Sequence, residues 1–222
     1  MLVKYWMSKP PITVDVKAYL KEADGLLKKN KIRQLPVVEN GKLVGLLTDK
    51  DIKRAEPSEV TRFEHITELY DMISNIKIRD IMTRDPVTIP TDYPIDKAAR
   101  VLLDSRLSGA PVVNDKEELV GVITQTDIFR VLVSFTGVDQ PGIQLAFELE
   151  DRPGSIKEVT DIIRKYGCKM FSILTNYKFA KEGYRLVFIR VAECAWERLE
   201  QMEKELKATA TLLYVGEDLE VK

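Results

Sequence analysis

The sequence predicts a mixed α/β and α+β protein, in which two copies of a β-α-β-β-α unit are followed by a third unit of order βαββαβ. Three observations carry this: an internal repeat across the first 135 residues, a change of apolar periodicity after residue 142, and a balanced composition. At 222 residues, with 45% hydrophobic and 31% charged residues, the chain can bury one large core or two small ones and is too apolar for disorder. Its 34 Lys and Arg against 35 Asp and Glu leave a formal charge of −1, which argues against nucleic acid as the default partner. Two cysteines, Cys168 and Cys194, and one histidine, His65, are too few for a common zinc site or a disulfide framework. No metal is therefore expected, and a reducing cytoplasm is the expected location. No run reaches the roughly 20 apolar residues of a membrane span. The opening residues lack the apolar stretch and small-residue cleavage site of a signal peptide, so export is not expected.

The repeat aligns at an offset of 75 residues and then, after one inserted residue, of 76. Trp6-Met7 matches Ile81-Met82, and Pro11-Ile12-Thr13-Val14 matches Pro86-Val87-Thr88-Ile89. Leu35-Pro36-Val37-Val38 matches Ala110-Pro111-Val112-Val113. Leu43-Val44-Gly45-Leu46-Leu47-Thr48 matches Leu119-Val120-Gly121-Val122-Ile123-Thr124. Each copy opens with an extended run, at 12–14 and 87–89. A helix follows, its apolar spacing set by Tyr19, Leu20, Ala23, Leu26 and Leu27, or by Ile95, Ala98, Ala99, Leu102 and Leu103. Asn40-Gly41 between two short apolar runs is a two-residue hairpin signal. A second helix is expected over about 51–75 in the first copy, interrupted near Pro57, and over 128–134 in the second.

An apolar-Pro-Val-Val hairpin followed by Gly-x-x-Thr-x-x-Asp, present twice, resembles the cystathionine β-synthase (CBS) domain pair, or Bateman module. The likeness covers roughly residues 1–135. It implies a sensor of adenosine nucleotides (AMP, ADP or ATP) or of S-adenosylmethionine, held in the clefts between the paired domains. Thr48 and Thr124 each end an apolar strand just before a helix, where a hydroxyl lies near free N–H groups that attract phosphate. Asp51 and Asp127 fall in the first helical turn, placed to accept from ribose hydroxyls. The resemblance assigns these Thr and Asp residues to phosphate and ribose, and implies that Thr13 and Thr88, with Leu35 and Ala110, frame the adenine. Lys9 and Arg84, at equivalent positions before the first strands, are candidates for neutralising phosphate. Thr-x-x-Asp is also close to a capping box, which would satisfy the helix amides with no ligand at all.

Thr136-Gly137-Val138-Asp139-Gln140-Pro141 reads as a linker over 136–141. Beyond it, Ile143, Leu145, Phe147 and Leu149 alternate with polar or small residues as in a half-buried strand. Ser155 and Glu158 read as a capping box for a helix bearing Ile156, Val159, Ile162, Ile163 and Tyr166, which Gly167 ends. Extended runs at 170–177 and 184–191, a helix carrying Trp196, Leu199, Met202 and Leu206, and a strand at 211–215 complete a ferredoxin-like order. With Asp151-Arg152-Pro153-Gly154-Ser155-Ile156 after its first strand, this segment resembles an ACT domain. That resemblance makes Asp151, Gly154 and Ser155 candidates for binding an amino acid.

The expected domains are 1–76 (with an inserted helical segment at about 52–76), 77–135 and 142–222. In this order the whole chain resembles the bacterial acetoin utilisation protein family. No nucleophile with a base, phosphate loop or metal cluster stands out, so no catalysis is expected. The leading reading is a ligand-sensing regulator, expected to be a homodimer on the strength of the resemblance. The alternatives are an oligomerisation scaffold that binds nothing and an amino-acid sensor acting through the third unit.

Overall fold

The computed structural model describes residues 1–55, 75–192 and 196–217. Most of the inserted helical segment, with Pro57 and His65, lies outside the described residues, as do Cys194 and the side chain of Trp196. The chain divides into two compact units, Met1–Phe129 and Arg130–Lys222.

In the first repeat, β1 (Val14–Asp15) runs parallel to β2 (Gln34–Glu39), and β2 is antiparallel to β3 (Lys42–Thr48). The hairpin turns on Asn40 (φ 50°) and Gly41 (φ 80°), the left-handed pair that Asn-Gly favours in a two-residue turn. Between β1 and β2, α1 (Leu20–Asn30) turns Leu20, Ala23 and Leu27 onto the sheet. With Val14, Leu35, Val37 and Leu47, and with Ile52 of α2 (Asp49–Ala55), they form one core. The second repeat repeats the plan with β5 (Ile89–Pro90), α4 (Ile95–Asp104), β6 (Gly109–Val113), β7 (Leu119–Thr124) and α5 (Gln125–Thr136). Its longer hairpin loop is held by Asn114, whose side chain accepts from the amides of Lys116 (3.0 Å) and Glu118 (2.9 Å).

The repeats exchange their opening segments. Helix α3 (Ile78–Ile81) and β4 (Thr83–Arg84) precede the second repeat in sequence, yet Ile78 is buried in the first repeat's core and β4 pairs antiparallel with β3. Reciprocally, the amides of Val3 and Lys4 donate to Tyr93 O and Thr91 O, both at 3.0 Å. Ser8 exchanges hydrogen bonds of 2.9 and 3.1 Å with Val122 of β7. The two motif glycines lie beneath these segments. A Cβ on Gly45 would stand 2.5 Å from Met82 Sδ and 3.0 Å from Thr83 O, and one on Gly121 would stand 2.7 Å from Met7 Sδ and 2.9 Å from Ser8 O. Their smallness makes room for the partner repeat's chain.

In the second unit, β8 (Gly142–Glu150), α6 (Ser155–Lys165), β9 (Met170–Asn176), β10 (Tyr184–Ala192), α7 (Trp196–Thr209) and β11 (Thr211–Glu217) follow the βαββαβ order. The sheet is antiparallel throughout, with strand order β11-β8-β10-β9. Ile143, Leu145, Phe147 and Leu149 are buried against Val159, Ile163, Val187, Ile189, Met202 and Leu206, as their alternation predicts. Three expectations are corrected. Ser155 is the first residue of α6 and its Oγ donates to Arg152 O (3.1 Å), while Gly154 (φ 92°) takes the N-cap position. Glu158 accepts two bonds from the Arg152 guanidinium (2.8 and 2.7 Å) rather than closing a capping box. Cys168 is disulfide-bonded, where the sequence led to a reducing location with no disulfide framework. The linker is itself docked, since Gln140 O accepts from Arg190 (2.8 Å to Nη2) and Thr136 O accepts from Ser172 (2.7 Å).

Candidate functional site

The two Thr-Asp pairs have the same geometry. Thr48 ends β3 and Asp51 lies in the first turn of α2; the Thr48 amide and hydroxyl both donate to Asp51 Oδ2, at 2.9 and 2.6 Å. Thr48 Oγ1 in turn accepts from the Asp51 amide at 3.3 Å. Thr124 at the end of β7 and Asp127 in α5 reproduce all three distances. Each pair is thus a reciprocal cap of the kind the spacing suggests. One carboxylate oxygen and the hydroxyl proton are already engaged, so Asp51 has Oδ1 left to accept a sugar hydroxyl, with Arg54 4.0 Å away.

The other expected residues fall into crossed sets. The parallel register of Val14 with Val37 brings Thr13 to the first repeat's hairpin, and that of Ile89 with Val112 brings Thr88 to the second. The cations cross over. Arg84 lies opposite Gly45 on the strand that ends in Thr48, whereas Lys9 follows Ser8 onto the strand that ends in Thr124. Both cations are exposed. Leu35 and Ala110 are fully buried, and Leu35 packs into the first repeat's core, which leaves its backbone rather than its side chain to frame a base.

Two residues that pattern reading passed over stand out. Gln34 is 6% exposed, and neither its Nε2 nor its Oε1 has a hydrogen-bond partner. A polar residue opening the run Leu35-Pro36-Val37-Val38, where the other copy has Gly109, was the available signal. The second is Arg185 on β10, in the register that Val187, Ile189 and Val191 use for the core. It draws together the expected amino-acid loop: Nη2 donates to Ser155 Oγ (2.9 Å) and Nη1 lies 3.6 Å from Asp151 Oδ1. Beside it, the Arg152 guanidinium holds the Glu158 carboxyl below its ordinary pKa. Gly154 supplies the loop's left-handed turn. Among the described residues no His, Cys, Asp or Glu cluster is arranged to hold a metal, and no helix is long and apolar enough to cross a membrane.

Residues 3–58 and 78–134, about half of the chain, match the CBS domain family as two consecutive copies. The chain belongs to the CBS domain family. The CBS pair is 39% identical over 132 residues to L-aspartate semialdehyde sulfurtransferase of Methanocaldococcus jannaschii, a match covering 59% of this chain and 23% of that enzyme. The chain therefore spans about a quarter of that relative's length. A CBS domain-containing protein of Dictyostelium discoideum is 34% identical over 134 residues, covering 60% of this chain and 92% of its own. Among solved structures, a CBS domain pair in complex with 5′-methylthioadenosine and S-adenosyl-L-methionine is 37% identical, with a TM-score of 0.50, covering 60% of this chain and 95% of that one. The CBS-pair protein CBSX2 from Arabidopsis thaliana is 24% identical with a TM-score of 0.52, covering 60% and 94%, and bears on the fold alone.

Proposed function

We propose that this CBS pair is a sensor of 5′-substituted adenosine ligands, either adenosine nucleotides or S-adenosylmethionine. The observation that carries the reading is the 37% identical pair solved with 5′-methylthioadenosine and S-adenosyl-L-methionine. Adenosine is the chemistry these ligands share, and the residues suit it in parts. Asp51 and Asp127 accept the ribose hydroxyls, Thr13 and Thr88 with the backbone of Leu35 and Ala110 line the base, and Thr48 and Thr124 face the 5′ substituent. A phosphate there would draw on Arg84 at the first site and Lys9 at the second; a sulfonium would not. Binding at the junction of the repeats favours one packing of the pair, and that difference between states is the signal. The protein regulates rather than catalyses. The C-terminal unit is an ACT domain that passes on the signal or joins two chains in a homodimer, with Asp151, Gly154 and Ser155 able to hold an amino acid. The setting is the acetoin metabolism that the family resemblance implies.

A second reading, a scaffold that binds nothing, is favoured by the self-satisfied Thr-Asp caps. Thermal shift with AMP, ATP, S-adenosylmethionine, 5′-methylthioadenosine and a panel of amino acids separates them, run on the native chain and on Asp51→Ala and Asp127→Ala. A ligand at 100 times its Kd stabilises by about 2.7 kcal/mol. The sensor reading expects such a shift from an adenosine compound and its loss in one or both variants. The scaffold reading expects no ligand shift and only the loss of a cap, about 1 kcal/mol per variant. A shift from an amino acid alone would move the function to the C-terminal unit.

A further inference from the structure

The near-zero net charge conceals an uneven distribution. Residues 28–54 of the first repeat hold eight Lys or Arg against three Asp or Glu, whereas the equivalent 103–130 of the second hold three against five. The extra cations gather where α1 ends and α2 begins. Lys28 and Lys29 lie in the last turn of α1 and Lys31 is its left-handed C-cap. The Arg33 carbonyl accepts from the Asp49 amide (3.0 Å), which brings the chain leaving α1 to the start of α2. There Lys50 and Lys53, three residues apart, share a face of the helix, while Ile52 is buried in the core. All five lysines are exposed. Lys28 pairs with Asp24 (2.6 Å), but Lys29, Lys31, Lys50 and Lys53 make no ion pair among the described residues. In the second unit, by contrast, Lys157, Lys165, Lys181 and Lys207 each hold a carboxylate.

The fold does not require this charge. The second repeat builds the same helices with Leu103 and Phe129, 71% and 63% exposed, where the first has Lys28 and Lys53. The surface suits neither a protein nor a membrane. No large apolar side chain between residues 20 and 55 is exposed, whereas protein interfaces centre on apolar or aromatic anchors and are poor in Lys, and helices that lie on membranes insert an apolar face. Lysines without anchors match the phosphate backbone of a nucleic acid, whose interfaces are polar and strongly positive. No exposed aromatic ring is at hand to stack an unpaired base, which favours a duplex over a single strand. We infer that the α1–α2 edge of the first repeat binds double-stranded nucleic acid through its phosphates and independently of base sequence, with Lys29, Lys31, Lys50 and Lys53 as the contacts. The inference goes beyond the adenosine reading and does not depend on it.

The test is fluorescence anisotropy of end-labelled DNA and RNA duplexes of about 20 base pairs, in two unrelated sequences, titrated with the full chain from about 50 to 200 mM salt. The variants are Lys29→Gln with Lys31→Gln, Lys50→Gln with Lys53→Gln, and a charge-matched control, Lys169→Gln with Lys178→Gln, two exposed lysines of the second unit. Thermal melting followed by circular dichroism checks that each remains folded. Neutralising four phosphates gives a plot of log association constant against log salt with a slope of about −4, for whichever duplex binds. Each patch pair should remove about two from that slope and weaken binding at least about tenfold at the lowest salt, equally for both sequences, while the control pair stays within about twofold of native. No duplex binding by the native chain at about 50 mM salt would overturn the assignment, as would a control pair that weakens binding as much as the patch pairs do. Capture of phosphatidylserine vesicles or of polyglutamate in place of the duplexes would give the surface to a membrane or an acidic protein and overturn it equally.

Discussion

Gly25 and Gly121 show how differently one residue type behaves when its surroundings differ. Gly25 sits in the middle of α1 with nothing within 4 Å of where a Cβ would stand and an ordinary helical φ. Its only effect there is to leave the unfolded chain more freedom, so Gly25→Ala should stabilise the first unit by about 0.5–1 kcal/mol, read as a raised denaturation midpoint at constant m. At Gly121 the same change drives a methyl into Ser8 O and Met7 Sδ, the first of which is backbone and cannot rotate away. Gly121→Ala should destabilise by about 1–3 kcal/mol, and a neutral result would mean the opening segment yields more easily than its hydrogen bonds imply. The glycine of Gly-x-x-Thr-x-x-Asp thus answers to packing of the exchanged segment. The Thr and Asp of the motif were legible because a cap needs those types at that spacing, whereas Gln34 and Arg185 were not. Each is a single polar residue in an apolar pattern, and only the fold shows what it faces.

At the scale of elements, the hairpins, α1, α4 and the whole βαββαβ unit were legible, because each is set by local periodicity and turn chemistry. The exchange of opening segments was not. Its strand is two residues long at β4 and a lone bridge at Ser8, too short for any pattern, and the contacts span most of the pair. The exchange makes the N-terminus part of the second repeat: Val3 is fully buried and its amide bonds Tyr93 O. Val3→Ala should therefore lower the first unit's stability by about 1–3 kcal/mol, where a frayed terminus would tolerate it. Between α6 and α7, whose apolar faces share the second core, an exposed electrostatic tie is added. Glu205 accepts from Lys165 Nζ (2.7 Å) and Tyr166 Oη (2.8 Å), and these bonds hold its carboxyl below the ordinary carboxylate pKa of 4.5. A folded-state pKa lower than the unfolded one contributes stability that is complete above the unfolded value and is lost as pH falls through the folded one. Glu205→Gln should remove that part of the acid dependence of the C-terminal unit's unfolding while leaving its pH 7–8 slope unchanged. An identical acid limb would show the pair to be screened to no effect, as many exposed ion pairs are.

For the whole molecule the consequential fact is that the two units own separate cores. One is built around Leu35, Leu47 and Ile78, the other around Phe147, Ile163, Ile189 and Met202. Among the described residues the two cores share no buried residue, so calorimetry should resolve two transitions rather than one. An adenosine ligand held by the CBS pair stabilises only the state that binds it and should raise the transition of the first unit. Phe147→Ala, which empties the centre of the second core, should lower the other transition by the equivalent of about 3–5 kcal/mol and leave ligand affinity in place. The combination is informative because it asks whether the units communicate. If the CBS pair passes its state to the C-terminal unit, ligand must alter the stability of both, since coupling between sites is reciprocal. Ligand would then move the second transition as well, and unfolding the second unit, as heating the Phe147→Ala chain between its two transitions does, would weaken binding by the same factor. Two transitions that ignore each other would confine the sensor's output to a surface of the CBS pair itself.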